Sequence, residues 1–192
     1  MNSRAWRVIP SVRDLRNLDD ALSCSSAEVL LSNVHIGNLE GLARRVHGAG
    51  KQVLVQSDLI GGFRADADGL LLLRNQFEVD GVFTSSHSAL SGAKRSGMRR
   101  YFRVALMDSR SVSTALEALK SFTGAGVELL PSPAAVDVLP RFRRLLPDKE
   151  ILAGGFINTP ARLAQVRAAG FNGATTSTNS MWSDSNEVHP GN

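Results

Sequence analysis

Short apolar runs alternate with segments of helical spacing along the whole chain, and this alternation limits the fold more than any other feature. The runs fall at residues 7–12, 28–32, 52–58, 81–85, 99–107, 127–130, 151–153 and 173–177, roughly 20–28 residues apart. Between them, Leu15, Leu18, Ala21 and Leu22, then Leu39, Leu42, Ala43 and Val46, recur as on a helix face. Further helices are predicted at 70–77, 88–96, 112–122, 136–146 and 160–169. An eighth is nearly absent, since 180–192 offers only Met181 and Trp182 before polar residues. This pattern predicts an α/β fold with a parallel sheet. Its eight repeats predict a compact TIM (β/α)₈-like barrel lacking its final helix. Residues 1–182 form the single domain of this reading, and 183–192 a polar, disordered tail. Pro10 is out of place for a central strand.

The last two units carry the chemistry. Ile151, Leu152 and Ala153 read as a buried strand, and Gly154 and Gly155 end it where backbone can approach a ligand closely. Thr159 and Pro160 then cap and start a helix, which Gly170 closes. One unit later the strand at 173–177 opens into Thr178, Asn179 and Ser180. Adjacent strands ending in Gly-Gly and in hydroxyls suit a phosphate pocket of backbone N–H groups and hydroxyl donors. Barrels place such a pocket after strands seven and eight. The plainer reading of Gly154-Gly155 is a tight strand-to-helix turn.

With 192 residues and 43% apolar composition, one domain with a full core is expected, although barrels typically take about 250 residues. No apolar run approaches the roughly 20 residues that span a bilayer, and the N-terminus lacks a secretion signal. Cys24 is the single cysteine, so no intrachain disulfide forms. The expected compartment is the cytoplasm. A net charge of +4 suits an anionic partner without requiring one.

Asp58, Asp108 and Glu128 fall at or near predicted strand C-termini, the functional face of a barrel. They could act as acid and base, hold a divalent metal, or accept hydrogen bonds from a polyol. Glu128 lies inside a strand, with Arg103 as a charge partner. His35 could be a base, a ligand or a hydroxyl partner. No second histidine stands at metal-ligand spacing, so no metal is expected. No lysine lies at a strand end to form a Schiff base.

The series His35-Ile-Gly37-Asn38, Asp58-Leu59, Asp80-Gly81, Arg103 with Asp108-Ser109, Glu128-Leu-Leu-Pro131, Ala153-Gly-Gly-Phe-Ile157 and Ser177-Thr178-Asn179 with Trp182 resembles the glycerol-3-phosphate-responsive antiterminator family. The resemblance covers nearly the whole chain. It implies a TIM-barrel regulator, not an enzyme, with no cofactor and with glycerol 3-phosphate as effector. It also implies binding to leader mRNA of glycerol-utilisation genes. Carried over by position, His35, Asp58, Arg103, Glu128, Gly154, Gly155, Ser177 and Thr178 would line the ligand site. The chain departs from the family at Gln56, where a histidine is usual, at Ser86, often basic, and at Ser132, often glycine.

Basic residues cluster at Arg44 and Arg45, at Lys94 and Arg95, and at Arg141, Arg143 and Arg144. They are candidates for RNA phosphates, against the plainer reading of solvated helix faces. Closure of residues 60–68 over ligand would favour an RNA-competent state or a homodimer. Two rivals stay open: a barrel isomerase, aldolase or phosphodiesterase acting on a small phosphorylated metabolite, and a metabolite-binding protein without RNA activity.

Overall fold

The computed structural model describes residues 6–182, so the expected tail at 183–192 lies outside the described residues. The strands are β1 (Arg7–Val12), β2 (Glu28–Leu31), β3 (Gln52–Gln56), β4 (Gly81–Thr84), β5 (Arg99–Ala105), β6 (Gly126–Leu130), β7 (Glu150–Ala153) and β8 (Gly173–Thr176). They pair in parallel, each with its sequence neighbours, and β8 closes on β1. The helices are α1 (Leu18–Ser23), α2 (Ile36–Gly48), α3 (Ala67–Asn75), α4 (His87–Ser96), α5 (Ser109–Ala118), α6 (Ser132–Leu145) and α7 (Pro160–Ala168). Each returns the chain from a strand C-terminus to the next strand N-terminus, as a parallel barrel requires. A short 3₁₀ turn, Asn179–Met181, stands where an eighth helix would begin.

Local chemistry explains where the elements depart from the expected bounds. Asp66 accepts from Gly69 N and starts α3 at Ala67, earlier than the apolar run at 70–77 suggests. Pro133 fits the first turn of α6, which begins at Ser132 and not at 136. Asp108 and Ser111 form a capping box that starts α5 at Ser109 and leaves β5 ending at Ala105. Pro10 stands opposite Thr176 of β8, and pairing with β2 begins only at Ser11.

The barrel interior is layered. Its middle is apolar: Ile9, Leu30, Leu54, Phe83, Tyr101 and Leu152 pack together, with the Phe83 and Tyr101 rings stacked 4.6 Å apart. The floor is ionic. Arg7 donates to Glu28 at 2.6 Å and to Glu150 at 2.9 Å, Arg99 pairs with Glu28, and the Tyr101 hydroxyl donates to Glu150 at 2.7 Å. Burial works against the charge on Arg7, but its bonds to Glu150 and Glu28 outweigh that and raise its pKa. Two further cores lie outside the strands and beneath the helices.

Glu28 joins Arg7 and Arg99 while almost wholly buried, so its removal leaves Arg99 without a carboxylate and Arg7 with Glu150 alone. Glu28→Ala should cost about 3 kcal/mol, read as a lower denaturant midpoint at unchanged m-value. A cost well under 1 kcal/mol would mean that solvent already screens the floor.

Burial first, then the Glu150 carboxylate, push the Tyr101 phenol above its ordinary 10.0. The unfolded phenol ionises near pH 10 while the folded one stays neutral. Its contribution is therefore intact below pH 10 and is lost as pH rises beyond it. Between about pH 9 and 11, Tyr101→Phe should lose less stability than the unsubstituted protein. Equal losses would place the alkaline transition elsewhere.

Candidate ligand site at the barrel mouth

Above the apolar layer the strand C-termini open into a cavity of about 570 Å³. Its base is a buried ion pair. Glu128 of β6 is 1% exposed, and both its oxygens are engaged, Oε2 by Arg103 Nε and Oε1 by the Thr175 hydroxyl. Arg103 and Glu128 stand opposite one another in the β5–β6 register, so strand geometry places them in contact. The pair anticipated from sequence therefore forms. Among the described residues the two Nη groups of Arg103 meet no acceptor, and Arg103 lines the cavity.

The loop after β7 forms one wall. A Cβ on Gly154 would lie 2.5 Å from Glu128 Oε1, so only glycine lets the strand pass over the carboxylate. Gly155 and Phe156 follow with φ of 71° and 57°, two successive left-handed residues. Among the described residues the backbone N–H groups of residues 155–158 have no protein acceptor, and all four residues line the cavity. Phe156 pays for its backbone strain without packing, being 72% exposed. The β8 end is tied to this wall: Thr176 Oγ1 donates to Ile157 O, Thr178 N donates to Thr176 Oγ1, and Trp182 Nε1 donates to Thr176 O.

Of the residues expected at the site, Arg103, Glu128, Gly155, Ser177 and Thr178 line this one cavity, and Gly154 lies beneath it on Glu128. His35 and Asp58 do not line it. His35 caps α2, its Nδ1 accepting from Gly37 N at 3.1 Å, and its ring lies against Gly61 and Gly62. Asp58 accepts from the Thr84 and Ser85 hydroxyls and from Ser85 N, bracing the β4–α4 connection. Asp108 is spent on its helix cap. Arg13, after β1, also lines the cavity, exposed and with no carboxylate partner among the described residues. Its only sequence signal is its place one residue beyond the first strand. Ser11 and Ser32 share a 2.8 Å hydrogen bond at the opposite wall, near Gln56. Among the described residues no group of three or more His, Cys, Asp or Glu side chains could hold a metal.

The basic candidates separate by environment. Arg44 pairs with Glu40 at 2.7 Å and Arg45 with Asp19 at 2.5 Å. Lys94, Arg95, Arg141 and Arg144 are exposed and form no ion pair with any described residue. Arg143 is half-buried and donates to the Lys149 and Gly170 carbonyls and to Asn172 Oδ1, pinning α6 to the start of β7.

The model of the glycerol-3-phosphate responsive antiterminators matches residues 8–182. The chain belongs to that family. Among solved structures, the glycerol uptake operon antiterminator regulatory protein of Listeria monocytogenes is 24% identical, with a TM-score of 0.84 over 92% of this chain and 94% of its own. An antiterminator-related protein of Thermotoga maritima is 22% identical, with a TM-score of 0.79 over 93% and 98%. Orotidine 5′-phosphate decarboxylase of Pyrococcus horikoshii, an enzyme, is 12% identical, with a TM-score of 0.63 over 88% of each chain. These likenesses show the barrel. No curated protein matches the chain. No described helix of this antiterminator-family chain is long and apolar enough to cross a membrane.

Gly154→Ala tests the base of the site. The added methyl would push Glu128 away from Arg103 and Thr175, at a cost of about 1–3 kcal/mol in unfolding free energy. An unchanged denaturation midpoint would show that the β7 end can shift without cost.

Proposed function

We propose that this chain captures glycerol 3-phosphate at the barrel mouth, and that the bound effector raises its affinity for the leader mRNA of glycerol-utilisation genes. The observation that carries this reading is that residues 155–158, whose N–H groups have no acceptor among the described residues, line one cavity with Arg103, whose Nη groups are likewise unpaired there, and with Arg13. Successive N–H groups and two guanidinium groups are what a small phosphate ester requires. The hydroxyls of Ser177 and Thr178 lie on the β8 side of the same opening and supply further donors. The polyol end then faces Ser11, Ser32 and Gln56, which exchange hydrogen bonds with hydroxyls without proton transfer.

Turnover finds little support here. Among the described residues Glu128 is the one carboxylate that lines the cavity, and it is 1% exposed with its oxygens turned to Arg103 and Thr175. A general base must come within hydrogen-bond reach of the substrate proton. On this reading the chain is a receptor that works in the cytoplasm, beside the transcripts it reads. The family to which it belongs is named for the same response.

Glycerol 3-phosphate at roughly 100 times its Kd should add about 2.7 kcal/mol to stability, seen as a raised melting temperature, while glycerol should add nothing. Arg103→Ala and Arg13→Ala should each abolish or sharply reduce that shift. The ligand should be recovered unchanged after incubation. Its consumption, with activity lost in Glu128→Gln, would turn the reading to an enzyme. A melting temperature indifferent to glycerol 3-phosphate would remove the effector from the proposal.

A further inference from the structure

Every helix end in a parallel barrel faces the strand N-termini, the end opposite the mouth. Cations gather in the last turn of a helix because its macrodipole favours them there. That effect alone predicts an even ring of charge, and the ring is not even. On one half of the barrel each terminal cation has a carboxylate: Arg44 with Glu40 and Arg45 with Asp19 on α2, Arg74 with Asp80 on α3. On the other half Lys94 and Arg95 of α4, Arg141 and Arg144 of α6, and Arg167 of α7 form no ion pair with any described residue. The acids near this rim among the described residues are Glu117, itself paired with Lys120 at the end of α5, exposed Asp148, and Glu150, which is held by Arg7 and Tyr101 in the floor. Behind the free cations, Arg100 donates to the Leu90 and Thr123 carbonyls and Arg143 to those of Lys149 and Gly170, which fixes two more positive charges in place.

We infer that RNA docks on the strand-N-terminal rim of the α4–α7 half, through its phosphates, and not on the α2–α3 half. The assignment rests on the RNA-binding reading above. Among the described residues the large exposed apolar side chains, Leu15, Leu59, Met107 and Phe156 on loops at the mouth and Leu72 on α3, all lie off this rim, and its half-buried aromatics, Trp6 and Phe122, pack against the outer cores, so it presents little face for stacked bases. Contacts to phosphate oxygens by solvated cations are what remain, and they give strongly salt-dependent binding. Placing RNA opposite the mouth lets ligand and RNA occupy the protein together, so the effector acts by coupling and not by competition.

The test compares three double variants in binding to the leader transcript of the source organism's glycerol-utilisation genes. Lys94→Glu with Arg95→Glu, and Arg141→Glu with Arg144→Glu, should each weaken binding at least about tenfold and lower the salt slope by roughly 0.7–0.9 per lost phosphate contact. Arg44→Ala with Arg45→Ala should leave both within about twofold. All three should keep the glycerol 3-phosphate thermal shift, which shows that fold and mouth are intact. Equal loss in the Arg44 and Arg45 variant, or no loss in the other two, would overturn the location while leaving RNA binding itself in place. An unsubstituted protein that binds no leader RNA would overturn both. Polyglutamate competing as well as RNA would show a general acidic-protein surface and overturn the assignment to nucleic acid.

Discussion

A single buried carboxylate holds the mouth of this barrel in register. Glu128 cannot be solvated where it sits, and an unpaired charge there would cost several kcal/mol, so its surroundings are arranged to satisfy it. Arg103 supplies the charge, Thr175 the second donor, and the missing side chain of Gly154 the space. Strands β5, β6, β7 and β8 thus meet at one group. Because Arg103 spends only Nε on Glu128, its two Nη groups stay available on a side chain fixed at the cavity. A group held in place in this way would lower the ordering cost of binding a ligand there.

The same strands carry the polarity of the whole barrel. Along β5, Arg99 belongs to the floor, Tyr101 to the middle and Arg103 to the mouth. The floor closes one end with ion pairs and the stacked Phe83 and Tyr101 rings fill the lumen, so small molecules enter from the mouth alone. Helices return every connection to the floor end, and with them come the cations of their last turns. A barrel of this build has chemically different ends: one built from loops, the other from helix termini that carry side-chain charge. The left-handed pair Gly155 and Phe156 belongs to the first kind.

Much of this was legible in the residues. Alternating apolar runs predict the eight strands, because a strand covered by helices on its outer face must be apolar there. Gly154, Gly155, Ser177 and Thr178 were legible as a mouth for the same reason that glycine and hydroxyls recur at anion sites. Other assignments depended on what tertiary structure alone decides. His35 and Asp58 carry chemistry-bearing groups at strand ends, yet both are consumed by local bracing, one on α2 and one on the β4–α4 connection. Arg143 and Arg144 are adjacent and alike in sequence. Only the turn of α6 points one at the carbonyls of Lys149 and Gly170 and leaves the other in solvent. Arg13 was missed because a lone arginine after a first strand has no pattern to mark it, and its significance comes from β8 closing beside it.

Two tryptophans pack where that closure is made, at the β8–β1 seam. Trp182, 2% exposed, packs into the core that contains Val8, Val12, Leu18 and Ala21, just beyond the 3₁₀ turn that follows β8. Trp6 packs against both outer cores where the seam begins, with the Arg167 guanidinium 6.0 Å from its ring centre. Trp182 also ties the seam to the site, because its indole N–H holds the Thr176 carbonyl while the Thr176 hydroxyl holds the Ile157 carbonyl. Trp182 is therefore two hydrogen bonds from the β7-loop wall of the cavity. Packing at the seam and the geometry of the β7 loop are one mechanical unit, so a change that loosens Trp182 should be felt first at the mouth.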